Sequence, residues 1–258
     1  MLARRLVQGT SVSEQAEKAM LSQLREVYDH TGNLKQMLLD MDTVKELDGC
    51  FEKWRLTRND SFEKMTLEGQ ISTFTTSFKV LSAANWPLKP LNSRFVLPIA
   101  ISHTQDEFSK FYREQQPGRK LLWYWQLCYG EMRMHLKNNS SKEYTLHASA
   151  YQIAILLLFN EKDELSYQDI EASTELESDL LDTLLNVFLK TKLLKYDERG
   201  TSKFYTVNDS FASKKVKIDI RVSLKKQKNA ELCETHRKIK EERKLLMQVS
   251  LPATRRPA

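Results

Sequence analysis

The chain has 258 residues, of which 41% are hydrophobic and 29% charged, and its formal net charge is +6 at pH 7. This is the composition of an ordinary soluble domain, and the longest apolar run, 153–159, is too short to cross a bilayer. The three cysteines are odd in number and far apart, so they fit neither a disulfide framework nor a metal cluster and indicate a reducing compartment.

The positive charge is concentrated near the C-terminus. Residues 214–258 contain fourteen Lys or Arg and five Asp or Glu, a net charge of +9, which leaves −3 for the rest of the chain. One interpretation is a solvated helix face followed by a frayed tail. The other is a surface for an acidic partner.

Helical periodicity dominates the first part of the chain. Apolar residues recur at intervals of three and four over 11–31, and two further stripes cover 34–41 and 44–54. A last helix is predicted at about 101–115, with Phe108, Phe111 and Tyr112 on one face. These patterns predict a helical bundle over 1–116, interrupted by one long excursion. Within the excursion, residues 71–81 fit either a strand or the edge of a helix.

An aromatic segment follows the bundle. Residues 121–127 are nearly all apolar and predict a strand buried on both faces, while 130–136 alternate and predict a half-buried partner strand. A turn at Tyr129 and Gly130 would join the two as a hairpin, and 144–149 offer a third strand. Because a two-stranded hairpin is marginal alone, another element must complete this sheet, from this chain or from a second protein.

Residues 150–208 have the pattern of a winged-helix module. Apolar helices are predicted at 150–159, after Ser166 and at 179–189, and two short strands at 193–196 and 203–207 flank a tight loop. Such modules often bind DNA through the third helix. Here the residues expected on its exposed face are acidic or neutral and would be repelled by phosphates, which favours contact with protein: Glu177, Asp179, Asp182 and Asn186.

The end of the chain contains the most regular strand pattern. Val216, Ile218, Ile220 and Val222 alternate with polar residues, so 209–224 are predicted to join 117–149 in one α/β sheet. A charged helix is expected over 225–248 and a disordered tail over 249–258. The fold class predicted from all segments is α+β, mostly α.

No catalytic constellation is recognisable in the sequence. It has no glycine-rich phosphate loop and no nucleophile elbow, and its five histidines lack the spacing of metal ligands. The pattern therefore predicts a binding or scaffold protein, without cofactor or metal, rather than an enzyme. A winged-helix protein that binds nucleic acid through its basic C-terminal segment stays open as an alternative.

Five stretches, taken in order, resemble the cullins, the scaffold subunits of RING-type ubiquitin ligases. The similarity extends over about 1–248, and the combination is specific although no single motif is. Among them, the sequence resembles the cullins that use Skp-type or elongin-type adaptors, and the residues do not decide between these two. The stretches are MLARRLV…SVSEQAEKAMLSQL (1–24), VLSAANWPL (80–88), GRKLLWYWQLCYGEM (118–132), YTLHASAYQIAILLLFN (144–160) and HRKIKEERKLLMQ (236–248).

The resemblance implies a four-helix bundle and an α/β sheet with an inserted winged helix. It also implies a location in cytoplasm and nucleus and a RING-finger subunit that adds a strand to the sheet. The residues that we expect to receive this strand are Leu122, Trp123, Trp125, Leu127, Met132, Met134, Ile218, Ile220 and Val222.

A conjugating enzyme is the second partner that the resemblance implies. Cullins attract its acidic tail through a basic groove, to which this chain could contribute cations at both ends of the sequence. This encounter would be transient, and we expect no membrane partner and no nucleic acid. The candidate groove residues are Arg4, Arg5, Lys214, Lys215 and Lys217.

Two departures from the cullin pattern concern the ends of the chain. We expect the chain to begin after the helical repeats that bind substrate adaptors. After Gln248 the sequence VSLPATRRPA replaces the second winged helix, so no modifier-acceptor lysine is expected. A truncated or non-functional cullin fragment is therefore a further alternative.

Overall fold

The computed structural model describes most of the chain between residues 13 and 221. The described ranges are 13–28, 32–58, 75–86, 88, 94–136, 143–199 and 202–221, with 3, 6 and 7 before them and 233, 236, 237, 239–241, 243–245 and 247 after them. The described positions between 233 and 247 are helical and exposed. Among the described residues, no helix combines the length and apolar composition needed to span a membrane.

Three helices have described bounds within residues 1–116: α1 (Glu14–Tyr28), α2 (Asn33–Arg58) and α3 (Ile99–Gln115). The two apolar stripes predicted after α1 belong to one helix, α2, with 26 residues. Its residues Met37, Val44 and Phe51 recur every seven positions and are all buried, which is the spacing of one face over two turns. Helix α3 buries Phe108, Phe111 and Tyr112 as predicted.

Two aspartates of α2 hold the segment 75–82 in an extended path. The Asp48 carboxylate accepts a hydrogen bond from the backbone N–H of Phe78 at 2.9 Å. Asp40 accepts from the backbone N–H of Ser82 and from Trp86 Nε1, both at 2.9 Å. The segment is therefore neither a strand nor a helix edge, because side chains of α2 rather than a neighbouring strand bind its backbone.

The central sheet has the order β1-β2-β6. Strand β1 (Tyr129–Met134) pairs antiparallel with β2 (Tyr144–Ser149), and β6 (Lys217–Asp219) pairs parallel with β2 on its other side. Met132 and Ile218 both lie opposite Leu146, so one sheet face is apolar throughout. Along β2 this face is fully buried, since Tyr144, Leu146 and Ala148 are at most 1% exposed.

The predicted hairpin within 121–136 is wrong. Residues 121–124 belong to no strand, and Trp125–Leu127 form a single 3₁₀ turn. In this turn the N–H of Leu127 donates to the Tyr124 carbonyl oxygen, and the N–H of Cys128 donates to that of Trp125. Gly130, predicted to lie in the hairpin turn, is inside β1. A Cβ atom there would lie 3.1 Å from Ile153 Cδ1, so this glycine allows a helix to pack closely on the strand.

Residues 150–208 contain the predicted helices and strands and one further strand. The helices are α4 (Ala150–Leu158), α5 (Tyr167–Thr174) and α6 (Ser178–Lys190), and the predicted strands are β4 (Leu194–Arg199) and β5 (Ser202–Val207). A short strand β3 (Glu164–Ser166) pairs with β5, so the sheet has the order β3-β5-β4. Ser149 and Ser166 form capping boxes that begin α4 and α5.

Helix α6 separates apolar and acidic residues on opposite sides. Its inward residues are at most 9% exposed, and the positions predicted to face solvent do so. The predicted α+β, mostly α fold class is confirmed. The buried residues of α6 are Leu180, Leu181, Leu184, Leu185 and Phe188.

Gln152 connects β6 to the start of α4. Its side chain is 0% exposed, and its Nε2 donates to the carbonyl oxygen of Ile220 at 2.6 Å. Its Oε1 accepts from the backbone N–H of Ser149 at 3.0 Å. One amide therefore satisfies a carbonyl next to the edge strand and a helix N-terminus, which is why a polar side chain lies in the core.

We predict that Gln152→Leu destabilises the chain by about 2–4 kcal/mol, because the Ile220 carbonyl loses its buried donor and α4 loses a capping partner. Urea unfolding measures the loss. Gln168→Leu, on the exposed side of α5, is the matched control and should change stability by less than about 0.5 kcal/mol. Equal effects of the two substitutions would contradict this role of Gln152.

Candidate protein-binding interface

A column of aromatic rings lies beside the central sheet. Trp123 stacks on Trp125 with ring centres 5.5 Å apart and an interplanar angle of 11°. On one side, Trp123 meets Phe108 edge-on at 6.3 Å. On the other side, Trp125 meets Phe95 at 6.2 Å, and Phe95 meets Tyr151 of α4 at 4.7 Å. The column thus connects the helical part to the α/β part.

The predicted partner-contacting residues differ in exposure. Leu127 and Ile220 are only 5% and 2% exposed, and Leu127 packs with Trp86 and Met37 of the helical part. Leu122 is 57% exposed. The others are half-buried, and Val222 lies outside the described residues. The half-buried residues are Trp123, Trp125, Met132, Met134 and Ile218.

Both outer strands of the central sheet have an unpaired edge within the described part of the chain. β1 and β6 each pair only with β2. Residues 120–124 belong to no strand, and their backbone N–H groups donate to no described residue. Met132 and Met134 lie along the apolar face of β1 and are only half-buried. A strand lying beside β1 would cover both.

The opposite sheet face is polar. Its central His147 lies in register with Glu131 of β1 and Asp219 of β6, and its Nε2 is 3.5 Å from Glu131 Oε1. The Arg221 guanidinium binds the Asp219 carboxylate at 2.5–3.1 Å and lies over the Tyr129 ring at 5.4 Å. The hydrogen bond from Arg221 lowers the pKa of Asp219. These interactions join all three strands on the solvent side.

The predicted basic groove is described only in part. Arg4 and Arg5 lie outside the described residues. Lys214, Lys215 and Lys217 are exposed, and none forms an ion pair with a described residue. Lys217 and Arg133 both lie opposite Thr145, on the polar sheet face. Arg133 is not among the predicted groove residues, although its alternation with Met132 and Met134 places it on that face.

Two aromatic residues that the sequence pattern did not predict support the interface. Phe78 and Phe95 lie in the excursion between α2 and α3, where the pattern did not predict which side chains are buried. Phe78 meets Trp123 at 6.0 Å and stacks on Phe108 at 4.0 Å. The aromatic character of these side chains was the sequence feature that could have indicated their burial. Burial raises the pKa of the Cys128 thiol to about 11, so this thiol is a poor nucleophile.

Comparison with known proteins gives two family matches. Residues 80–215 match the model of the Cullin alpha+beta domain, and residues 1–48 match the model of the Cullin alpha solenoid domain. The second match places part of the solenoid model inside this chain, where we expected none of the helical repeats.

Individual cullins are similar over nearly the whole chain. Cullin-1 of Schizosaccharomyces pombe is 33% identical over 257 residues, covering 97% of this chain and 32% of the relative. Cullin-1 of Dictyostelium discoideum is 34% identical with the same coverage, and Cullin-3B of Arabidopsis thaliana is 30% identical over 94% of the chain and 32% of the relative. The chain spans about a third of the length of these relatives.

We predict that acid weakens the folded state partly through Asp219. Because its folded-state pKa is lowered, the Arg221 interaction favours folding above the unfolded pKa of about 3.9. This contribution is lost as the pH falls through the folded pKa. Urea unfolding at pH 7 and pH 3 should therefore show a smaller loss for Asp219→Asn than for the unchanged chain. Asp106→Asn, at an exposed position of α3, is the control, and equal losses for all three proteins would refute the prediction.

Proposed function

This chain belongs to the cullin family, and on that premise we propose that it is a non-catalytic scaffold of a ubiquitin ligase. It binds a RING-finger subunit that adds a strand to the central sheet. The RING-finger subunit in turn brings a ubiquitin-conjugating enzyme to substrate, in the cytoplasm and nucleus. The module at 150–208 is of the winged-helix class and contacts protein.

The observation that carries this proposal is the open edge of β1. An added strand pairs its backbone with the edge, and its alternate side chains pack on the neighbouring apolar surface. Met132 and Met134 supply that surface on β1, and their half-burial leaves apolar area for a partner to cover. Each 100 Å² of apolar area removed from water stabilises such a complex by about 2.5 kcal/mol.

The aromatic segment extends this surface beyond the sheet. Leu122 is exposed between Leu121 and Trp123, which both pack inward. A partner lying on β1 and on Leu122 would contact a rigid platform, since the rings beneath are held from both sides. Rigid surfaces lose little conformational entropy on binding, which favours tight association.

The cations near β6 fit the second partner. Lys214, Lys215 and Lys217 are exposed and form no ion pair with described residues. An acidic tail of the conjugating enzyme would be attracted to them, and the attraction would speed encounter and weaken with salt. The acidic exposed face of α6 does not favour nucleic acid, because its Glu177, Asp179 and Asp182 would lie against phosphates.

We predict that Leu122→Asp weakens binding of a co-expressed RING-finger subunit at least tenfold, about 1.4 kcal/mol, because it places a charge in the apolar interface. Leu56→Asp is the matched control: Leu56 is 76% exposed on α2, far along the chain from the proposed edge. It should bind normally. Affinity is measured by titration of the purified subunits, and melting temperatures confirm that both variants fold. Leu122→Asp is a more specific test than Trp125→Asp, because replacing Trp125 would also remove its stacking on Trp123.

Hydrogen exchange of the complex tests where the strand lies. Amides of β1 should exchange more slowly in the complex than in the free chain, whereas those of β4 should not change. Binding without protection of β1 or β6 would contradict strand addition. A chain that binds no RING-finger subunit, and whose melting temperature does not rise when one is added, would instead be a non-functional fragment.

A further inference from the structure

A pocket of about 350 Å³ lies where the chain reverses direction after α3. The reversal occurs at Gly118, whose φ of +90° favours glycine. The following segment then returns alongside the helix, and Trp123 packs on Phe108. The pocket volume is within the range of roughly 300–1,000 Å³ that is typical of small-molecule sites. Its walls are formed by Ser109, Tyr112, Arg113, Arg119, Lys120, Leu121 and Trp123.

Three cations surround this pocket, and no acidic side chain lines it. Arg113, Arg119 and Lys120 are exposed, and none forms an ion pair with any residue that the structure describes. No described side chain neutralises these three charges, so the pocket attracts anions.

Tyr112 adds a hydrogen-bond donor to the wall of the pocket. The residue as a whole is only 5% exposed, and it lines the pocket. Its hydroxyl makes no hydrogen bond with any described residue and is not enclosed by protein atoms. A hydroxyl in this position can donate to a bound oxyanion.

We propose that this pocket binds a phosphate monoester whose organic group lies against Leu121 and Trp123. A phosphate ester carries a charge of about −1.5 to −2 at pH 7, which three cations balance better than they balance a carboxylate. The guanidinium groups of Arg113 and Arg119 match phosphate oxygens in pairs, and Lys120 adds a point charge. The hydroxyl of Tyr112, which also lines the pocket, can donate a further hydrogen bond to the phosphate. This inference does not depend on binding of a RING-finger subunit.

Titration calorimetry of the full chain tests the ligand class with four probes: phenyl phosphate, glycerol 3-phosphate, inorganic phosphate and benzoate. Phenyl phosphate should bind at one saturable site and at least about threefold more tightly than inorganic phosphate, because only it covers the apolar wall. Benzoate should bind at least about tenfold more weakly. Binding of benzoate and phenyl phosphate with equal affinity, or no saturable binding of phenyl phosphate, would overturn the proposal.

Substitutions test the residues. Arg113→Ala and Arg119→Ala should each weaken phenyl phosphate at least fivefold, and Tyr112→Phe, which keeps the ring, about threefold. Lys110→Ala is the matched control, since Lys110 is an exposed cation of α3 that does not line the pocket. If Lys110→Ala weakens binding as much as Arg113→Ala, the attraction is unspecific and the site is refuted. Binding of the RING-finger subunit by the same variants should be unchanged, which keeps failures of the two proposals distinguishable.

Discussion

The stacked pair Trp123 and Trp125 determines how the two parts of this molecule are joined. Trp123 contacts the rings of the helical part, and Trp125 contacts Phe95, which packs on α4 of the α/β part. Aromatic pairs at these distances contribute about 0.5–1.5 kcal/mol each beyond their burial. The 3₁₀ turn at Trp125–Leu127 separates this aromatic segment from β1. An open β1 edge next to a rigid aromatic platform is the result.

The local pattern predicted most helices and strands of this fold correctly. The three helices at 150–208 are short-range structures, and Ser166 and the spacing of Leu180, Leu181 and Leu184 specify them without distant contacts. The wrong or missing predictions concern segments whose structure depends on residues far away in the sequence. Gly130 suggested a turn, but its function is to admit Ile153. Strand β3 is only three residues long and depends on β5 for its pairing, so no local signal marked it.

The candidate interface was predictable only in its outline. Alternation placed Met132, Met134 and Ile218 on one side of the sheet, and the structure has them on one face. Alternation could not show that Leu127 is covered by Trp86 or that Ile220 is covered by the core. Those facts depend on packing between segments far apart in sequence. Apolar periodicity identifies residues that avoid water, but it does not distinguish burial within a chain from burial by a partner.

β1 of the central sheet and β4 of the second sheet are both outer strands, but only β1 is suited to pair with a further strand. Every residue of β4 after Leu194 is exposed, and four of these five are charged. Such an edge discourages pairing with another strand, because added backbone would meet charges on both faces. β1 has charges on one face only, Glu131 and Arg133, while its other face is apolar and half-buried. An incoming strand can therefore cover apolar area at β1 but not at β4. β1 is not a frayed end of the sheet, because Met132 and Met134 pack against the core. These contacts hold the edge of β1 in position for a partner strand.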